Sequence, residues 1–529
     1  MSTPRNPLFI CTGGAPRGIQ PVAVADFHAV PRLGLAIALM TLLAPSAAEA
    51  ATYAVGPGRD LHDLQAIAPK LQPGDVVLVD GDATYPGDLI LREDGTAAAK
   101  ITIRGRRVAG KRPVLAGGKT TIEVRGSHYQ IEGFDLTGGA VRCFYHHSDD
   151  VTLADTVIHD CPHHGLLGAD DDAGSLTLSY VEVYHAGAGD SAHPIYMATD
   201  ERAHPGSVFW MEHCYLHDQN GGNNVKSRAE RNELHYNWIE GALYHEVELI
   251  GPDGEEHHRR EDSDVVGNVI KKLRPGYVVR VGGDGSGESN GRYRFASNTI
   301  VIGPETRAVF RLFNGLESIE MHNNAFFREG GGGVRILVED DVRWAEGRAL
   351  LSGTHNWLPR GSTAIPGEWD HTIVGVDPGF VSMNDLRPTA TSPLVDAGSD
   401  VLPSPPRCAF PSPLAEAQSS PPVGKLEAPL AAAPRTRSGA IDIGAFEYTG
   451  PAAVGAGERT PGADEPEPPR PGHPPPTLPP SPPLFPRIVR GACGCDCVGV
   501  GPGGLRAAAL GVLVGLVGLA RRRGRPARH

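Results

Sequence analysis

Between Val225 and Ile336, short runs repeatedly set one charged residue between two apolar or small ones: Val225-Lys226-Ser227, Val247-Glu248-Leu249, Val279-Arg280-Val281, Phe310-Arg311-Leu312 and Val334-Arg335-Ile336. Successive runs lie 22, 32, 31 and 24 residues apart. Strand side chains alternate faces, so each run would send its flanks inward and its centre outward. If the strands stack, the centres form one exposed stripe.

A second landmark recurs in phase with the first. Thr156, Val181, Cys214, Asn237, Asn268, Asn298, Asn324 and Asn356 each stand two residues before an apolar residue, at separations of 25, 33, 23, 31, 30, 26 and 32. The charged centres follow these landmarks by 11 to 13 residues. A period so irregular, yet never shorter than one three-strand turn, predicts the coils of a β-solenoid with variable loops. Five consecutive landmarks are Asn, and stacked amides would bond to one another and to the turn backbone along the stack. A chain of 529 residues exceeds one compact core, while 67 glycines and 6% aromatics suit many short strands joined by turns.

Before the repeats, Leu61, Leu64, Ile67, Ala68 and Leu71 follow helical spacing up to Pro73-Gly74. The expectation is a short helix that caps the open end of the stack ahead of a first strand at Val76 to Val79. Residues 51–400 then form the solenoid, and 401–437 a Pro/Ala-rich insertion. A closing segment follows at 438–448 and a Pro-rich linker at 449–490. The 90 residues from 401 to 490 hold 23 of the 47 prolines, which leaves little of that region able to form helix or sheet.

Both ends read as targeting segments. Leu33 to Leu43 is an apolar stretch preceded by Arg32 and followed by Ala48-Glu49-Ala50, the pattern of an export signal with its cleavage site, so 1–50 is read as leader. The stretch ahead of it is long for such a leader, and Val30 is the expected true start. At the other end, Cys493, Cys495 and Cys497 precede an apolar stretch and Arg521 to Arg523, within a tail at 491–529. The scattered Cys143, Cys161, Cys214 and Cys408 lack the spacing of a zinc site, and Cys143 with Cys161 could pair after export.

The coil pattern, with Thr121 to Thr137 and Val151 to Cys161, resembles right-handed parallel β-helix proteins of the pectin-lyase-like class. Asp377 to Phe380, Ser392 to Gly398 and Gly439 to Tyr448 look like the closing segment of many such secreted proteins. The tail resembles the MYXO-CTERM sorting signal of myxobacterial surface proteins. Together these resemblances imply an all-β fold with a C-terminal membrane or sorting segment, on a protein held at the cell surface.

Aligning the second strand of each coil gives an outward row of Leu167, Tyr196, Lys226, Glu248, Arg280, Arg311 and Arg335. Three residues earlier runs a row of His164, His193, Asn223, His245, Tyr277, Ala308 and Gly332. From Lys226 to Arg335 the outward row carries four cations and one carboxylate on a chain of net charge −13. The acidic balance argues against nucleic acid as a partner. The basic row suits an acidic, uronate-bearing polysaccharide bound by a monomer.

Cleavage by β-elimination would need a cation on the uronate carboxylate, a base for the C5 proton and an acid for the leaving oxygen. Candidates are Lys226 or His193 as base, Tyr196 or Tyr277 as acid, and Arg280 or Arg228 as cation. Arg228, His245, Glu248, Tyr277, Arg311 and Arg335 are the expected binding residues. Lys226-Ser227 with Asn232 and Asn237 resembles the Lys-Ser segment of alginate- and chondroitin-degrading β-helix lyases, in which that Lys is the base. There an Arg follows on the next coil and acidic residues before the Lys hold calcium; here Glu248 and Asn223-Asn224-Val225 stand instead.

Asp170 to Asp172 and Asp253 to Glu256 could ligate calcium through oxygen or simply be solvated loop charge. His159-Asp160 and His217-Asp218 occupy matching corners and are read as turn ties. Glycoside hydrolysis would need two flanking carboxylates, and only Glu248 with Glu246 or Asp253 is available. Any solvated β-helix face also carries exposed charge. The alternative to an enzyme is therefore a surface adhesin or rigid spacer.

Overall fold

The computed structural model describes residues 50–450 apart from 169–170, 252–260, 284–288, 314, 340–349, 406–411 and 427–429. The leader, nearly all of the Pro-rich linker, the sorting tail and the Asp253 to Glu256 cluster lie outside these residues.

The described chain is a right-handed parallel β-helix. One column of ten strands begins at Leu89–Leu91 and ends at Leu337–Glu339, every neighbour parallel. Two further columns run side by side. One passes through Arg231–His235, Asp262–Val266, Arg292–Ala296 and Ser318–His322. The other passes through Trp238–Glu240, Val269–Lys272, Thr299–Ile302 and Ala325–Arg328. The 11-residue strands Val151–Cys161 and Leu176–Ala186 belong to both.

The alternation read from the sequence holds in the ten-stranded column. Leu89, Ile122, Phe144, Leu166, Ile195, Val225, Val247, Val279, Phe310 and Leu337 are in register and buried inside the coils. Burying a side chain of this size contributes about 1.5–3 kcal/mol.

The corner between the other two columns is built from the landmark residues. Asn268 Oδ1 accepts the Asn237 backbone N–H at 2.8 Å and its Nδ2 at 2.9 Å, and the same pattern repeats onto Asn298, Asn324 and Asn356. Each amide also donates to a carbonyl of a preceding coil, as Asn298 does to Val265 at 2.8 Å. Every one of these Asn side chains is fully buried. The residue just before each landmark is left-handed, with φ of 44° at Asp155, 54° at Tyr180, 56° at Tyr236, 69° at Gly267 and 54° at Asn323. That conformation costs a non-Gly residue, and the buried ladder beside it repays the cost.

The expected capping helix is absent. Thr52–Val55 is the first strand and pairs with Val76–Asp80, and Leu61 bridges to Val55. Only Ala68–Lys70 is helical, as a single 3-10 turn. Pro69 lacks a backbone N–H, and Asp75 draws the N–H groups of Gln72 and Ala51 to its carboxylate, so the segment turns rather than continuing. Leu64, Ile67, Ala68 and Leu71 still join the core, as their spacing suggested.

Cys143 and Cys161 are disulfide-bonded, and Cys214 is a buried free thiol. Among the described residues of the Pro/Ala-rich insertion, Ser419–Ser420 pairs with Ala433–Pro434, and little else is strand. The insertion is docked on the helix all the same: Leu414 and Ala417 pack on Tyr236, Val266 and Ala296, while Val423 and Leu426 pack beside Trp238 and Phe446. The closing segment follows, with Ile443 packed against Ala325 and Trp357.

Candidate functional site

The outward face of the ten-stranded column carries the expected row in register. Leu167 pairs with Tyr196, Tyr196 with Lys226, Lys226 with Glu248, Glu248 with Arg280, and Arg280 with Arg311. Strands in a sheet lie ~4.8 Å apart, so these side chains are neighbours. The row breaks at its last member. Arg311 pairs with Val338, not Arg335, because the strand Leu337–Glu339 enters three residues later than the Val334-Arg335-Ile336 pattern suggested. Arg335 bridges to Thr363 instead, and its carbonyl accepts the Val309 N–H at 2.9 Å. It lies on the rim, exposed, off the central line.

Glu248 is the centre of the row and is 3% exposed. Its carboxylate accepts Asn223 Nδ2 at 2.5 Å and Arg280 Nη1 at 2.5 Å, with Lys226 Nζ at 3.9 Å. Lys226 sits 4.8 Å over the Tyr196 ring, and the Arg280 and Arg311 guanidinium groups lie 4.0 and 4.5 Å from the Phe313 ring. Arg311 also lies 5.1 Å over Tyr277. These aromatic faces hold the cations at fixed points along the face. Phe313 joins the site without having been singled out in the sequence, and Asn223, there only a member of the rim row, holds Glu248. Strict alternation beyond Arg311 would have placed Phe313 outward.

Arg228 is buried, donating to the Tyr196 hydroxyl at 3.0 Å and to the Gly251 carbonyl. It backs the groove and positions Tyr196. Glu246 lies inside the coil, hydrogen-bonded to Asn224 Nδ2 at 2.5 Å and paired with the buried Lys272 at 3.5 Å. Burial raises its pKa and lowers that of Lys272. It therefore cannot flank a sugar bond together with Glu248.

The rim row forms its own ladder. The His193 N–H donates to His164 Nδ1 at 3.1 Å, the Asn223 N–H to His193 Nδ1 at 3.0 Å, and the His245 N–H to the Asn223 side-chain oxygen at 2.9 Å. A backbone N–H can only donate, so Nδ1 of His164 and of His193 each present a lone pair, and the neutral rings carry their protons on Nε2.

His245 is the opposite case. Its Nδ1 lies 3.2 Å from the Asn223 oxygen, and the Asn223 amide is oriented by Glu248 so that this oxygen only accepts. His245 therefore donates through Nδ1 and holds its lone pair on Nε2. Burial pushes His193 down to about 3, aided by Lys226 and His164. Burial likewise lowers His164 to about 4 with His163 adding, and His245 to about 4 with Arg280 adding against the opposing pull of Glu248. All three are neutral at pH 7.

The Lys-Ser resemblance implied calcium just ahead of Lys226. Calcium takes six or more oxygens. Here the Asn223 oxygen is engaged by His245, and Asn224 Nδ2 donates to Glu246 and to the Glu240 carbonyl. These residues do not fit the ion, and no step below is routed through it. Among the described residues, no cluster of three or more His, Cys, Asp or Glu could hold a metal. Asp172 instead pairs with His204 at 3.0 Å. The turn ties are present: His159 contacts Asp160 at 2.8 Å, and His217 contacts Asp218 at 2.8 Å.

No protein-family model and no curated protein sequence matches the chain. Among solved structures, the chain is similar to the pectate lyase Pel9A at 13% identity, over 75% of this chain and 96% of that one, with a TM-score of 0.41. It is similar to an alginate lyase from Paenibacillus sp. str. FPU-7 at 16% identity, over 61% and 99%, with a TM-score of 0.36. A GH136 lacto-N-biosidase from Eubacterium ramulus matches at 10% identity, over 62% and 68%, also with a TM-score of 0.36. Likenesses this distant say nothing of activity, and the parallel β-helix rests on the strand pairing and register of this chain.

Proposed function

We propose that the outward face of the ten-stranded column binds an acidic, uronate-bearing polysaccharide and cleaves it by β-elimination. The observation that carries the reading is the in-register row Tyr196, Lys226, Glu248, Arg280 and Arg311, which sets three cations around one carboxylate beside a neutral imidazole. Lys226, Arg280 and Arg311 would neutralise the uronate carboxylate and make the C5 proton acidic. His245 Nε2 takes that proton, a role His193 cannot fill through Nε2 because its lone pair faces a backbone N–H. The C5 electron pair forms the C4–C5 double bond as the C4–O bond breaks, and Tyr196 or Tyr277 protonates the leaving oxygen. Export through the leader and anchoring through the 491–529 tail complete the reading.

The test is to incubate the full chain with a panel of uronate polymers and follow the ultraviolet absorbance of unsaturated ends. Activity lost in His245→Gln and Lys226→Ala but kept in His193→Gln supports the assignment. Binding without unsaturated ends would make the protein an adhesin, and retention of no uronate polymer would remove the reading altogether.

A further inference from the structure

Toward its N-terminal end the same column continues the outward row with Ile90, Glu123 and Tyr145, in register with Leu167. Here the face is concave. A groove of about 340 Å³ is lined by Ile90, Glu123 and Tyr145 together with Lys119, Arg125 and Arg142. It is separate from the Lys226 to Arg311 centre and was absent from the residues singled out in the sequence.

Its cations are arranged to receive an anion. The Arg142 guanidinium carbon lies over the Tyr145 ring, 3.5 Å from the centroid, and its Nε donates to Thr120 Oγ1 at 3.2 Å. The ring contact and that one bond hold the group in place while its two terminal nitrogens keep their donors for a ligand, the geometry that suits a planar carboxylate. Lys119 stands at the groove edge with an exposed side chain. Of the two carboxylates in the lining, Glu123 pairs with Arg125 at 2.7 Å, and Asp88 accepts the backbone N–H groups of Lys119 and Thr120 at 2.7 and 3.2 Å. The lining thus carries three cations, Lys119, Arg125 and Arg142, against two carboxylates, Asp88 and Glu123, and is positive by one charge.

From Tyr145 to Lys226 there are three coil steps, through Leu167 and Tyr196, or ~14 Å at ~4.8 Å per step. The apolar Leu167 separates the two charged stretches. A linear polymer lying along the coil axis would meet both.

We propose that this groove is a second uronate subsite, which grips a carboxylate a few sugars away from the Lys226 centre and makes affinity depend on chain length. The inference rests on the reading given under Proposed function. In that arrangement an oligomer shorter than ~14 Å reaches one site only, and a longer one gains the second contact as an intramolecular event.

The experiment is calorimetric binding of two uronate oligomers to the full chain, one too short to span ~14 Å and one long enough. The wild type is expected to bind the long oligomer about tenfold tighter, the equivalent of about 1.4 kcal/mol. Arg142→Glu and, separately, Lys119→Glu should abolish that advantage while leaving short-oligomer affinity at the Lys226 centre unchanged. Lys119 is an exposed surface residue, so its variant guards against a folding defect at Arg142. Lys226→Ala should weaken both oligomers alike. A length advantage that survives both charge reversals overturns the subsite but not the centre. If the wild type binds neither oligomer, the reading beneath it falls as well.

Discussion

The Asn223 amide joins two parts of the site, donating to Glu248 at 2.5 Å through Nδ2 while its oxygen accepts from the His245 ring. One residue thus orients a carboxylate on the row and sets the tautomer of an imidazole on the rim. Asn223→Ala should cost about 1–3 kcal/mol of stability, because a buried carboxylate loses a donor. It should also lower kcat on a uronate polymer more than it raises KM, since the His245 lone pair would no longer be fixed on Nε2. Denaturant titration and steady-state rates read the two effects separately.

Glu248 balances Lys226 and Arg280. Glu248→Gln removes one negative charge from the face and should tighten uronate polymer binding about two- to fivefold at low salt. The gain should vanish near 1 M salt, where screening acts within ~3 Å. Affinity measured across ionic strength checks both statements.

Asn298 sits mid-ladder, accepting twice from Asn268 and donating to Val265 and Asn324. Asn298→Ala should lower the unfolding free energy by about 2–4 kcal/mol through several orphaned buried groups. Its effect on oligomer binding, after correction for unfolded chain, should be nil.

His146 and His164, both at about 4, His193 at about 3 and His245 at about 4 lie below the ordinary imidazole value, mainly because they are buried. The unfolded chain therefore takes up these protons first. Their contribution is full above about pH 6.5 and is lost as pH falls toward 4. His159 is raised, chiefly by its bond to Asp135; His217 is raised because its bonds to Glu182 and Asp218 outweigh its burial. The contribution of these two is full below about pH 6.5 and is lost as pH rises through their folded values. With His213 and His355 also lowered chiefly by burial, six depressed imidazoles against two raised ones predict a Tm clearly lower at pH 4.5 than at pH 7, measured by calorimetry.

The Cys143–Cys161 bond closes a loop over a sequence separation of 18. Replacing both residues with Ala should cost about 3 kcal/mol, most of it through the unfolded chain. Adding a reductant to the wild type should lower Tm in the same direction.

The pattern of Val225, Lys226, Ser227 and its successors sufficed for strands, for the face each residue takes and for register as far as Arg311, because a period of two has one buried solution. The Asn landmarks likewise announced their ladder: an amide repeated in phase has a partner above and below. Helical spacing at Leu61 to Leu71 misled, since burial at every third or fourth residue is also met by successive turns, and Pro69 with Asp75 decides between them. Arg335 misled because the coil holding it starts its strand three residues late, an offset that the local alternation does not encode.

From the sequence alone came the coils, their facing, the ladder and a basic row on an acidic chain, all of them consequences of periodicity. Tertiary structure decided which atoms meet. Arg228 is tied to the Tyr196 hydroxyl, Glu246 is swallowed by the core, and His193 spends its lone pair on a backbone N–H while His245 keeps one on Nε2. Those outcomes depend on hydrogen bonds between residues 22 to 32 positions apart, and no local pattern encodes which donor reaches which acceptor.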